Sequence, residues 1–197
     1  MFKWLQKSGL AMETMSWSLE RYHKAIASGV LVEHDKVELI FGKLITAPPK
    51  EVEHAGTIEV LQEFFRELLG REYRYRSESP LPLPPDSEPE PDFLIAKRTP
   101  KGMKSRHPLV TETHLVIEVA FSTLEFDRTV KGPLYASAGV AEYWIINLRG
   151  RKIEVYQSPS TDDGTWKNSQ IVDAGDTFES PFAGSIQVND LLPIIGE

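Results

Sequence analysis

The chain has 197 residues, 26% of them charged and 41% apolar, and a formal net charge of −7. That length favours one domain with its own core, the acidic balance excludes broad nonspecific adhesion to nucleic acid, and no apolar run approaches the ~20 residues of a membrane span. The absence of cysteine excludes disulfides, thiolate metal sites and a cysteine nucleophile, which fits a cytoplasmic protein.

The opening stretch MFKWLQKSGLAMETM carries two lysines but has neither the apolar core nor the small-residue cleavage site of a secretory signal. Residues 1–16 therefore read as an N-terminal arm ahead of a single domain over 17–197. From Ser18, SLERYHKAIASG spaces Leu19, Tyr22 and Ile26 as a helix and stops at Gly29. VELIFGKLITA, from Val37, predicts two short strands turning at Gly42-Lys43. VEHAGTIEVLQEFFRELLG puts Ile58, Leu61, Phe65 and Leu68 on one helical face and ends at Gly70.

YRYRSESPLPLPP reads as an exposed strand dissolving into a proline-rich loop. DFLIA and HLVIEVAF have strand length, and the second is too continuously apolar for a half-solvated sheet, which predicts a central position. STLEFDRTVKGPLYASAG is helical; Ser122 and Glu125 match a capping box that starts it near Thr123. EYWIINL and KIEVYQ, separated by Arg149-Gly150-Arg151, predict a second hairpin, with Tyr143 and Trp144 in the core, and the polar tail after Ser158 predicts edge strands. Interleaved strands and helices give an α/β domain with a mixed sheet flanked by helices and extra C-terminal strands.

Within that frame three acids stand out. EPEPDFLIAK, residues 88 to 97, places Asp92 at the mouth of an apolar strand, where an unpaired carboxylate costs several kcal/mol. Period two sets Leu115, Ile117, Val119 and Phe121 on one face of their strand and leaves Glu118 between Val116 and Ala120 on the other. Glu38 is the single polar residue of VELIF. Taken singly, Glu118 could pair with an arginine and Glu38 could lie on an exposed hairpin face. Gathered, three carboxylates repel unless a cation holds them, and oxygen ligands without cysteine suit Mg²⁺ or Mn²⁺. Asp127 and Lys131, at i and i+4, have the spacing of a surface ion pair.

The order of these residues, Pro91-Asp92, then Glu118 in a buried strand, then a lysine in the next helix, resembles the PD-(D/E)XK nuclease superfamily. More narrowly, KVELIFGKLI, EPDFLIA, HLVIEVAFST, DRTVKGPLYASAGVAEYWIIN and IEVYQ resemble the Uma-two family of restriction endonuclease-like proteins, from about Trp17 to about Gln157. The resemblance implies a restriction-endonuclease-like fold and a metal-dependent DNA endonuclease. Glu38, Asp92, Glu118 and Lys131 are its implied catalytic residues, and Asp92, Glu118, the Val119 carbonyl and Glu38 its implied metal ligands. The superfamily lysine usually lies two residues after the glutamate; that position is Ala120 here, so the ammonium is expected from Lys131.

His54 falls where the family tends to have a histidine, although a residue in a first helical turn can also be bonded locally. Proline inside a helix removes a hydrogen bond, so Gly132-Pro133 predicts a kink at Lys131 and leaves open an inactive DNA-binding or protein-interaction module. The basic loop KRTPKGMKSRH offers Lys97, Arg98, Lys101, Lys104 and Arg106 to phosphates, or to solvent alone. DNA is the expected partner, Arg128 the next cation after Lys131, and a homodimer is within expectation for nucleases of this fold.

Overall fold

The computed structural model describes residues 15–46, 48–99 and 106–193. Helix α1 (Leu19–Ala27) opens on Ser18, whose hydroxyl accepts the Arg21 N–H. Strands β1 (Val37–Ile40) and β2 (Lys43–Thr46) pair antiparallel through a turn at Phe41 and Gly42. Both turn residues have positive φ, 47° and 69°, the backbone of a tight hairpin turn. A Cβ at Gly42 would lie 1.9 Å from Ser16 Oγ, so only glycine lets the chain entering α1 cross here.

Helix α2 (Val52–Leu69) buries Ile58, Leu61 and Phe65 as its spacing predicts, but Leu68 is 46% exposed, and Leu69 packs against the core in its place. Then β3 (Tyr73–Ser77), β4 (Phe93–Lys97), β5 (Thr113–Ala120), β6 (Glu142–Asn147), β7 (Lys152–Ser160) and β8 (Thr165–Asp173) form a six-stranded sheet in that order. All neighbours are antiparallel except β5 and β6, which run parallel, so the sheet is mixed and β5 lies inside it. A last hairpin, β9 (Thr177–Ser180) with β10 (Gly184–Gln187), stands apart from the sheet.

The crossover from β5 to β6 is one helical run: α3 (Leu124–Phe126), a π-helical turn (Asp127–Lys131) and α4 (Gly132–Ala138). It closes at Gly139, whose φ of 80° is a left-handed cap. The capping box expected at Ser122 and Glu125 does not form: Thr123 is the cap residue and makes no side-chain cap bond. Instead its hydroxyl donates to Asp127 Oδ2 at 2.7 Å.

The sheet divides two cores. On one face α2 and the C-terminal hairpin cover Phe93, Ile95, Leu115, Ile117, Val119, Trp144 and Ile146. On the other, Leu134 and Tyr135 of α4 cover Leu94, Val116, Ala120, Tyr143 and Ile145. Tyr143 and Trp144 are fully buried, as expected. Among the described residues no helix is long and apolar enough to cross a membrane.

The hairpin is held by a buried carboxylate and an aromatic contact. Glu142 Oε2 accepts the Ser180 hydroxyl at 2.7 Å, while Phe178 meets Trp144 edge to face with centroids 4.9 Å apart. Phe178→Ala should lower the unfolding free energy in urea by about 3–5 kcal/mol, whereas Ile171→Ala, on the exposed edge strand, should stay within about 0.5 kcal/mol of the parent.

Candidate active site

Register brings the acids together. Phe93 of β4 faces Ile117 of β5, so one step further along this antiparallel pair Asp92 comes opposite Glu118. The Asp92 N–H lies 3.4 Å from Glu118 Oε2, and Asp92 Oδ2 accepts the Val119 N–H at 2.8 Å. Glu38 arrives from β1, whose Leu39 exchanges backbone hydrogen bonds with Glu88 in the segment that leads into β4.

Lys131 spans two of these carboxylates. Its Nζ lies 3.0 Å from Glu118 Oε1 and 3.2 Å from Glu38 Oε2, the second an ion-pair contact without hydrogen-bond alignment. Tyr135, one turn on, donates to the same Glu118 Oε1 at 2.7 Å. Glu38 is therefore not on an exposed face, and the partner of Glu118 is a lysine. Asp127 and Lys131 are both buried, so the surface-pair expectation is overturned.

The expected kink at Lys131 is a widened turn. The Gly132 N–H bonds back to the Asp127 carbonyl, five residues earlier, and Pro133 stands in the first turn of α4, where its missing N–H costs little. The run stays continuous, with Lys131 turned inward.

His54, in the first turn of α2, has Nε2 2.9 Å from Asp92 Oδ1, while its Nδ1 is buried without a hydrogen-bond partner. The local-bonding alternative is thus set aside. Lys50 Nζ reaches the same Oδ1 at 3.2 Å and Glu78 at 2.8 Å. Donor atoms of His54, Glu78 and Asp92 lie within 4.8 Å of one another, a second cluster beside the Asp92–Glu118 pair. Arg128 faces away and holds Glu154.

These groups line a cleft of about 840 Å³. Glu38, Glu51, Glu78, Glu90, Asp92, Glu118 and Asp127 face Lys36, Lys50, Lys131 and His54 there, so carboxylates outnumber cations. Burial would raise the Asp92 carboxyl, but the hydrogen bond and charge of His54, with Lys131 and Lys50, hold it well below the ordinary aspartate value. Burial drives Glu118 well above the ordinary range, with Lys131 only partly opposing. Burial would lower Lys131, yet Glu118, Glu38, Asp92 and Asp127 carry it above an ordinary lysine, so it stays an ammonium.

Of the basic loop, Lys97 and Arg98 are exposed, Arg106 grips Glu112 with two nitrogens at 2.7 and 2.8 Å, and Lys101 and Lys104 lie outside the described residues. Sequence reasoning missed Lys50, Glu78 and Tyr135. Tyr135 follows Lys131 by four residues, a spacing that marks a shared helix face; Lys50 follows two prolines and carries no such signal.

The family comparison decides the affiliation: residues 19–190 match the Uma2 family, described as "Putative restriction endonuclease". The chain belongs to the Uma2 family. Among solved structures, it resembles one described as a putative nuclease belonging to DUF820 from Anabaena variabilis, at 16% identity and a TM-score of 0.66, covering 88% of this chain and 96% of that one. At that identity the likeness is one of fold, and the restriction-endonuclease-like α/β architecture expected for the Uma2 family is the one observed. No curated protein sequence matches the chain.

Asp127 supplies a pH-dependent prediction. Burial pushes its carboxyl up to about 6 from an ordinary 3.8, opposed in part by Lys131 and the Thr123 hydroxyl. Between those values the folded state binds more protons than the unfolded one, so this group's contribution to stability falls as pH rises through about 6. Asp127→Asn keeps an acceptor for Thr123 and should gain on the parent by on the order of 2 kcal/mol between pH 4 and pH 7.5 in urea titrations. An equal difference at both pH values contradicts this.

Proposed function

We propose that this protein is a divalent-metal-dependent endonuclease that hydrolyses phosphodiester bonds in DNA. The observation that carries the reading is the pairing of Asp92 with Glu118 at adjacent strand positions, with the Lys131 ammonium on Glu118, inside an acid-rich cleft. A polyanion cannot approach such a cleft without a bridging cation, and the described acids supply the hard oxygen donors that Mg²⁺ or Mn²⁺ prefers. Two features support the fit: Glu38 Oε2 is buried without a hydrogen bond, and Glu118 is under-compensated.

Asp92 and Glu118 would hold the ion, with the Val119 carbonyl and Glu38 completing the protein's share. When bound, such a cation polarises a phosphoryl oxygen and acidifies a water molecule. Lys131, kept protonated by its carboxylate partners, stands ready to meet the extra negative charge of a phosphorane-like transition state or to orient the attacking water. His54 fixes the rotamer of Asp92 and keeps it ionised, a positioning role rather than a catalytic one. Tyr135 fixes the position of Glu118 through its hydroxyl, also a positioning role. Lys50 occupies Asp92 Oδ1 from a partly exposed position and can swing off it toward a phosphate. Lys97 and Arg98, with Lys101, Lys104 and Arg106, are the proposed contacts to the DNA backbone, and Arg106 would have to release Glu112 to serve.

The inactive-module alternative drew on Gly132-Pro133 and on the acidic net charge; the Lys131 ammonium on Glu118, across the π-helical turn, supports the catalytic reading in preference to it.

Supercoiled plasmid incubated with the protein and Mg²⁺ or Mn²⁺ should be nicked and linearised, and chelation should stop the reaction. Asp92→Asn and Lys131→Met should each cut the rate by roughly 10²–10³, the scale of losing one preorganised charge. Lys131→Met should also lower stability by about 3 kcal/mol, because it leaves Glu118 and Glu38 without their ammonium, so its folding is checked by urea titration. Cleavage by Asp92→Asn at the parent rate overturns the assignment.

A further inference from the structure

At the far end of β3 from the cleft the surface changes sign. Arg66 near the end of α2, Arg71 in the turn, Arg74 on β3 and Arg98 just past β4 border one cavity of about 250 Å³, walled by Tyr73 and Tyr75. The neighbouring acids Glu67 and Glu72 do not line it. Among the described residues none of the four guanidiniums forms an ion pair with a carboxylate, and Arg74 Nε is buried without any hydrogen-bond partner. Four like charges gathered this way, in a chain of net charge −7, repel one another unless an anion joins them.

The scaffold beneath them is rigid. The Tyr75 hydroxyl donates to the carbonyls of Phe65 and Gly70, at 3.0 and 2.7 Å, tying the α2 terminus to β3. Arg98 Nη1 donates to the Arg71 carbonyl at 2.9 Å and fixes the loop after β4 against the turn before β3. Tyr73 packs edge-on against the stacked rings of His114 and Phe182, with centroids 5.5 and 5.1 Å away. A planar guanidinium held on such a base is suited to the paired oxygens of a phosphate.

We propose that Arg66, Arg71, Arg74 and Arg98 form a second, sequence-independent contact for the phosphodiester backbone of duplex DNA, remote from the cut. This rests on the nuclease reading of the cleft and adds to it where the duplex runs. β4 links the two places: Asp92 precedes the strand at the cleft and Arg98 follows it at the arginine cavity, a separation of about 20 Å at the ~3.3 Å rise of a strand residue. At ~3.4 Å per base pair that is about six base pairs, so a duplex lying along the β3 edge can occupy both. The acid-rich cleft attracts no phosphate by itself, and the arginine cavity, which shares Arg98 with the basic loop, adds Arg66, Arg71 and Arg74 to that loop's electrostatic hold.

The test measures binding of a labelled 24-base-pair duplex over a salt series, alongside cleavage kinetics. Arg66→Gln, Arg71→Gln and Arg98→Gln replace exposed side chains and are combined; Lys167→Gln on β8 is the control. The combined variant should bind more weakly, its slope of log K against log salt should be shallower by about three, and KM should rise at unchanged kcat, while the control matches the parent. Should the combined variant fold poorly, Arg71→Gln alone should flatten the slope by about one. Parent-like affinity and slope in the variants, with a parent that binds and cleaves, overturn the arginine contact and leave the nuclease reading standing. A parent that neither binds nor cleaves the duplex overturns both.

Discussion

The site depends on one constraint: Glu118 is a carboxylate on an interior strand, 2% exposed, between the apolar side chains of the core face that α4 covers. Left alone there it would take up a proton or unfold the sheet around it, since an unpaired buried charge costs several kcal/mol. Lys131 and Tyr135 reach it from the helical crossover, and the β4 register sets Asp92 beside it rather than away from it. This arrangement adds a like charge where the electrostatics least favour one. Structural requirements alone would favour an apolar residue at 118, and the proposed metal role accounts for the carboxylates gathered there.

The helical crossover makes that cluster geometrically feasible. In an unbroken α-helix the Pro133 ring would clash with the preceding turn; the π-helical turn absorbs it, with Lys131 and Asp127 both buried on it. Such turns are frequent at functional sites. The β1–β2 hairpin serves the same end from the other side: Leu39 is tied by backbone hydrogen bonds to Glu88, and Glu38 beside it meets the ammonium.

Much of this architecture was legible from residue patterns. Apolar runs of strand length located β4, β5 and β6, continuous apolarity made β5 interior, and the spacing of Ile58, Leu61 and Phe65 defined the buried face of α2. The acids Glu38, Asp92 and Glu118 stood out because each interrupts such a run. What stayed hidden was what depends on three-dimensional proximity. The Ser122–Glu125 box matched locally, yet the helix takes Thr123 rather than Ser122 as its cap residue, and the Thr123 hydroxyl bonds Asp127. Asp127 and Lys131 have surface spacing, but the helical face they share packs inward and buries both. Lys50, Glu78 and the four-arginine cavity are assembled from separate segments, and no local pattern marks them.

The central claim is that Glu118 requires a cation and that a divalent ion can take up that role with Asp92. Calorimetric titration of Mg²⁺ or Mn²⁺ tests it most directly. Glu118 is a ligand in this account, so the parent should bind the ion and Glu118→Gln, whose neutral amide cannot replace the carboxylate, should bind it much more weakly. Binding unchanged in Glu118→Gln, or no binding by the parent at millimolar metal, would contradict it.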